Sequence, residues 1–285
     1  MTGSPASPLS VPGAEPDIAI GRPLRAWLVV EVFFGLTAIL SAFLRPEDTA
    51  ATFAWPITPV VMAAVFGAFY VAAGSLFVLG LFVRRWQSLR VIVIPSVAFT
   101  AVMLLTTFLH WDKFSHGSLP FRIWFASYLL PPPIFLWLYR QQQRGRATAG
   151  AGAERPLPSA ARRFLRVNGW ALTGLALVGY LMPSLLQALA PWSLTPLTAR
   201  TLCGWLVALG LLQVWMDREG EWSRLRLGTA MLLILPIALA IQLGRFADQV
   251  RWTSPALWLM LADVAASGLL SLRLWLQPGS RQAGA

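Results

Sequence analysis

The chain is predicted to be an all-α polytopic integral membrane protein, its eight transmembrane helices arranged as two parallel, same-orientation four-helix repeats. Three observations predict this. Of 285 residues, 56% are hydrophobic and 12% charged, with a mean hydropathy of +0.62, whereas a soluble domain carries roughly 25% charged residues. Eight apolar runs follow one another, each long enough to cross about 30 Å of hydrocarbon as a helix. Residue patterns of the first half also recur in the second.

In chain order, residues 1–23 are rich in Pro, Gly, Ser and Ala without apolar periodicity, and are expected to form a disordered cytoplasmic tail. The first repeat, 24–139, holds runs near 24–44, 60–83, 89–109 and 121–139. An arginine-rich cytoplasmic linker, 140–167, follows, with the flexible composition Ala-Thr-Ala-Gly-Ala-Gly-Ala in its middle. The second repeat, 168–276, holds runs near 168–189, 197–216, 226–243 and 255–273, and a cytoplasmic tail covers 277–285.

The repeat is read from matching residues. Trp55-x-x-Thr58-Pro59 followed by Gly67 recurs at the same spacing as Trp192-x-x-Thr195-Pro196 followed by Gly204. Trp86-x-x-Leu89-Arg90 recurs as Trp222-x-x-Leu225-Arg226, and Asp112 matches Asp248. Four spans is an even number, so both copies enter the bilayer in the same sense. Thr58 and Thr195 are expected to cap their helices with proline at the first helical position, and Trp55 and Trp192 to anchor those ends at the interface.

Charge sets the orientation. By this division 17 of the 23 Lys and Arg residues fall on one side and 6 on the other, which places both termini in the cytoplasm. Twenty-two of the 23 are arginine and one is Lys113, a bias of GC-rich genomes that favours a bacterial plasma membrane. The net charge of +11 is spread over short connections, so no nucleic-acid partner is expected. The linker arginines are assigned to anionic lipid headgroups. Cys203, the single cysteine, lies in an apolar run and excludes an intramolecular disulfide. Thirteen of the 14 tryptophans lie near ends of runs; Trp205 is inside one.

A few polar positions inside the runs are candidates for function. Glu31 and Asp263 are carboxylates in apolar runs, where an acid costs about 2.5–3.5 kcal/mol and so faces protein or a watery cavity. Pro131, Pro132 and Pro133 remove three backbone donors in succession and free the carbonyls of Ser127, Tyr128 and Leu129, so the fourth helix must break or kink there. Asp263, the Ser127–Pro133 break with Tyr128, and Glu31 are the expected substrate path at the interface between repeats. His110, Asp112, Asp248 and Arg200 are candidates on the outer face, where Asp112 and Asp248 are read either as an acidic pair in a vestibule or as loop caps.

No nucleotide, hydrolase or metalloprotease motif is present. No metal or cofactor is expected, and the reading leans away from an enzyme. The expected function is a small-molecule transporter or permease. The alternative is a non-catalytic scaffold or assembly subunit docking a membrane-protein partner, and a weaker third reading is a lipid-modifying enzyme using the outer His and Asp residues.

Overall fold

A computed structural model describes residues 18–144 and 155–277. Among these no strand forms, and helices account for nearly all of the chain. In order they are α1 (Arg22–Ala38), continued by a π-helical turn (Ile39–Leu44), a short α2 (Thr49–Thr52), α3 (Val60–Gly80), α4 (Trp86–Leu109), α5 (Leu119–Leu129) and α6 (Pro131–Gln143). Then come α7 (Ser159–Leu181), α8 (Pro183–Leu189), α9 (Pro196–Glu219), α10 (Trp222–Arg245) and α11 (Pro255–Leu276).

Seven segments are long and apolar enough to cross a membrane: α1 with its π turn, α3, α4, α7, α9, α10 and α11. The fourth apolar run is the exception, because the three prolines divide it into helices of 11 and 13 residues. Leu130 between them stays in the right-handed helical region, so the chain kinks there without unwinding. The fifth run also differs from expectation. Its helix begins at Ser159, nine residues earlier than expected, and ends before Pro183, after which α8 stands as a separate piece. Pro95 and Pro236 are carried inside continuous helices.

Burial sorts the helices into a centre and a periphery. In α3 and α9, 72% of the apolar stretch is buried, against 28% in α1 and α11 and 22% in α7. The outer helices expose large apolar side chains such as Phe33, Leu40, Leu177 and Leu259, as expected of surfaces that meet acyl chains rather than water. The centre is built from small residues that let backbones approach. Gly67 of α3 abuts the Ala42 and Phe43 backbone of the π turn. Gly169 of α7 and Gly210 of α9 abut each other's backbones. Around this centre α1 packs on α3, α7 on α9, α3 on α10, and α4 on α9, while α5 and α6 cover α4 and α11 covers α10.

Both segments that precede a first helix are tied to a turn between helices. Trp86 N–H donates to Ile18 O at 2.8 Å and Ile20 N–H to Arg84 O at 3.2 Å; Trp222 N–H donates to Arg155 O and Leu157 N–H to Gly220 O, both at 2.9 Å. The tail expected over 1–23 therefore ends earlier than expected, since Ile18 onward is held by the fold, and residues 1–17 lie outside the described residues. Of the linker expected over 140–167, residues 145–154 lie outside them; the remainder belongs to α6, to α7 and to the short bonded segment between. Of the tail expected over 277–285, only Gln277 is described.

The two Thr-Pro turns are not alike. Thr195 caps α9 in a full capping box with Thr198. Thr58 caps nothing: α3 begins with Pro59 at its N-cap, the Thr58–Pro59 peptide is cis, and the Val61 N–H is taken instead by Gln249 Oε1 at 3.1 Å. Nor do Trp55 and Trp192 sit at a lipid interface. Trp55 is 3% exposed among Phe53, Phe114 and Trp124, and Trp192 is 7% exposed with its indole directed at Met62 Sδ.

Candidate functional site

On α1 the buried positions are Leu24, Leu28 and Glu31, spaced four and three residues apart and so aligned on the face turned to the protein. Glu31 is thereby carried inward. It is 6% exposed; its Oε1 makes no hydrogen bond, and among the described residues the Trp27 indole is the one protein donor within its reach. The carboxyl lines a cavity of about 190 Å³.

The cavity lies in the first half, between α1, α3, α4 and α5, with α9 closing it from the second half. Its wall is a run of rings. Trp205 of α9 lies 4.2 Å from Phe99, 4.9 Å from Tyr70 and, stacked, 5.2 Å from Phe69 between centroids. Tyr128 continues the wall, 5.8 Å from Phe99 and 4.4 Å from Trp124. The Tyr70 and Tyr128 hydroxyls are 2.8 Å apart. Trp124 is fixed from behind, its indole donating to Thr107 Oγ1 at 3.0 Å. Among the described residues lining the space, Glu31 is the one acid, and no Lys, Arg or His is present. The lining residues on α3, α4 and α9 are buried or half-buried, whereas Leu119 on α5 is 67% exposed, so the mouth opens beside α5, between it and α1.

Of the expected path residues, Glu31, Ser127 and Tyr128 come together here. Pro131, Pro132 and Pro133 lie outside the cavity lining; they open α6 and supply the kink. Asp263 also lies elsewhere. It is half-buried on α11 beside a space of about 10 Å³, room for one water at most. Asn168 is within its hydrogen-bonding reach, and the Asn168 amide donates to Gln213 Oε1 at 3.1 Å. Asn168 is 137 positions after Glu31, so the second half carries an amide network where the first carries an unpartnered acid and a void.

On the opposite end from most arginines, Arg200 meets His110, Nη1 to Nε2 at 2.8 Å, and donates through Nε to the Tyr180 carbonyl at 3.2 Å. A guanidinium has only donors, so His110 Nε2 is the acceptor and the imidazole is neutral. Burial first, then the Arg200 charge, holds the His110 pKa below its ordinary value. Asp112 is paired to its exposed neighbour Lys113 at 2.7 Å, and Asp248 is exposed on a separate turn. Among the described residues no three metal-ligating side chains come together.

The arginine-rich end holds a network that the sequence reading did not anticipate. Arg90 grips Glu219 with two bonds of 2.7 Å, joining α4 to α9, and Arg162 and Arg166 of α7 both bond Asp217. Arg155 bonds the Leu274 and Gln277 carbonyls. Arg140 and Arg163 remain exposed. Comparison with family models, with curated proteins and with solved structures finds no match for this chain.

Proposed function

We propose that the chain is a carrier of the bacterial plasma membrane that takes a small, mainly apolar molecule into the cavity beside Glu31. The observation that carries this reading is a roomy, ring-walled space with one buried acid whose oxygen has no protein partner. Ligand sites are concave, mostly apolar and fitted with few polar groups, and an intramembrane acid is a functional position by default.

In this reading α5 and α6 together form an eighth crossing, about 37 Å end to end at 1.5 Å per residue, and the two halves are parallel repeats. The pairing of helices supports it: α1 meets α3 as α7 meets α9, and α3 meets α10 as α9 meets α4. The matching ties of residues 18–20 and 155–157 to the turns ahead of Trp86 and Trp222 support it as well. Both termini then lie in the cytoplasm by the arginine count, with Arg140 and Arg163 available to anionic headgroups.

Cys203 is buried, so a cysteine introduced at Ser127 becomes the accessible thiol. It should react with a membrane-permeant maleimide, more slowly when small molecules extracted from the native membrane are added. An unreactive Cys at that position removes the cavity from the mechanism. The packed seam at Asp263 favours a second reading, a binding subunit that holds its ligand without passing it on and docks a membrane-protein partner. Absence of ligand flux through proteoliposomes, with binding retained, would select it.

A further inference from the structure

Resting on the cavity-binding reading above, the geometry points to a lipophilic ammonium ion bearing N–H groups as the ligand class, its charged nitrogen seated against Glu31 and its apolar body against the ring wall. Three independent features of the lining converge on this.

The first is charge. Among the described lining residues Glu31 is the one acid, 6% exposed, its Oε1 making no hydrogen bond and no basic side chain present to neutralise it. A carboxylate buried without a partner is costly, and a cationic ligand supplies what the protein omits. The second is the wall itself. Ring faces attract cations through their quadrupole, and Trp205, Phe99, Tyr70, Tyr128 and Trp124 form one connected ring surface. The third is the polarity of the hydroxyls. Thr37, Ser96, Thr100 and Ser127 each donate their proton to a carbonyl of their own helix: 2.8 Å to Phe34 O, 2.7 Å to Ile92 O, 2.8 Å to Ser96 O and 2.8 Å to Trp124 O. A hydroxyl that has spent its proton offers only lone pairs. These four hydroxyls thus meet a ligand as acceptors, which suits one with N–H groups, while the unpartnered Trp205 indole N–H and one proton of the Tyr70–Tyr128 pair are the donors of the wall. The mouth beside α5, whose rim carries the exposed Leu119, gives an amphiphilic amine an approach from the bilayer.

The test compares 2-phenylethylamine, charged at neutral pH, with 2-phenylethanol, its neutral counterpart of similar shape. Both are titrated calorimetrically into the full chain in lipid nanodiscs, and both are scored for protection of the Ser127→Cys thiol. The amine should bind roughly tenfold or more tightly than the alcohol, a gap that Glu31→Gln should close. Equal binding of the two by the unaltered chain, or an amine preference that survives Glu31→Gln, overturns the ammonium assignment and leaves the cavity reading standing. Binding of neither probe, with an unreactive thiol at 127, overturns both. Because the two probes are compared in the unaltered chain, the result stands even if a variant fails to fold.

Discussion

The first half of the molecule is hollow where the second is filled. Beside α1 the acid Glu31 faces a void of about 190 Å³; beside α7, at the position 137 residues on, Asn168 bonds Gln213 and reaches Asp263, and the space left is about 10 Å³. The difference teaches how polar groups inside apolar helices can serve two purposes. A polar group in hydrocarbon needs a partner. In the second half three side chains supply partners to one another and so stabilise the fold. In the first the acid has only the Trp27 indole within reach and otherwise faces the void, which leaves a place for something that is not protein.

The largest effect expected from this comparison concerns the matched glycines. A methyl group on Gly67 would fall 2.5 Å from the Ala42 backbone, whereas one on Gly204 would meet the Met103 thioether at 2.8 Å. Backbone cannot yield and a methionine tip can. Gly67→Ala should cost about 3 kcal/mol and Gly204→Ala about 1 kcal/mol or less, read as thermal unfolding in detergent. Equal losses would break the distinction drawn between the two close approaches.

Next come the two polar sites. Gln213→Leu strips the Asn168 amide of its acceptor and should destabilise by about 1–2 kcal/mol. Glu31→Gln removes an unpartnered buried acid and should leave stability unchanged or raise it by about 1 kcal/mol. A large loss from Glu31→Gln would mean that the acid has a structural partner after all.

The turns should separate by a similar margin. Thr195→Ala removes a capping box and should cost about 1 kcal/mol, while Thr58→Ala, which caps nothing, should cost a few tenths at most. The smallest effect is electrostatic. Burial and Arg200 depress the His110 pKa below 6.5, so the unfolded chain takes up the proton first as pH falls. The contribution of neutral His110 is fully present above 6.5 and is lost as pH drops toward the folded value. His110→Gln should flatten that part of the stability profile, and an unchanged slope would show that the Arg200 contact does not hold the imidazole neutral.

Much of the fold was legible because its signal is compositional. Seven of the eight apolar runs each hold one helix long enough to cross a membrane near the expected position, since a helix satisfies its backbone groups within its own segment. The broken fourth run was legible too, because three consecutive prolines remove three donors wherever they lie. Of the site, Glu31, Ser127 and Tyr128 were legible as polar positions in apolar runs. Trp205 stood out as the one tryptophan far from any end, yet its place in the cavity wall depends on α9 crossing beside α3 and α4. Asn168, Gln213 and Gln249 were passed over, since an uncharged amide in an apolar run gives a weaker signal than an acid. Asp263 was placed on the path beside the proline break by its position in the matched sequence pattern, and such a match does not say which helix face meets which.

Composition and periodicity determined the membrane helices, their approximate order and the rarity of charge inside them, because each of these follows from what a segment costs in hydrocarbon by itself. Which carboxylate faces a void, which threonine caps and which half of the chain keeps a cavity were decided by tertiary structure. Those outcomes depend on neighbours brought from more than a hundred residues away, and near-identical motifs such as the two Thr-Pro turns meet different neighbours.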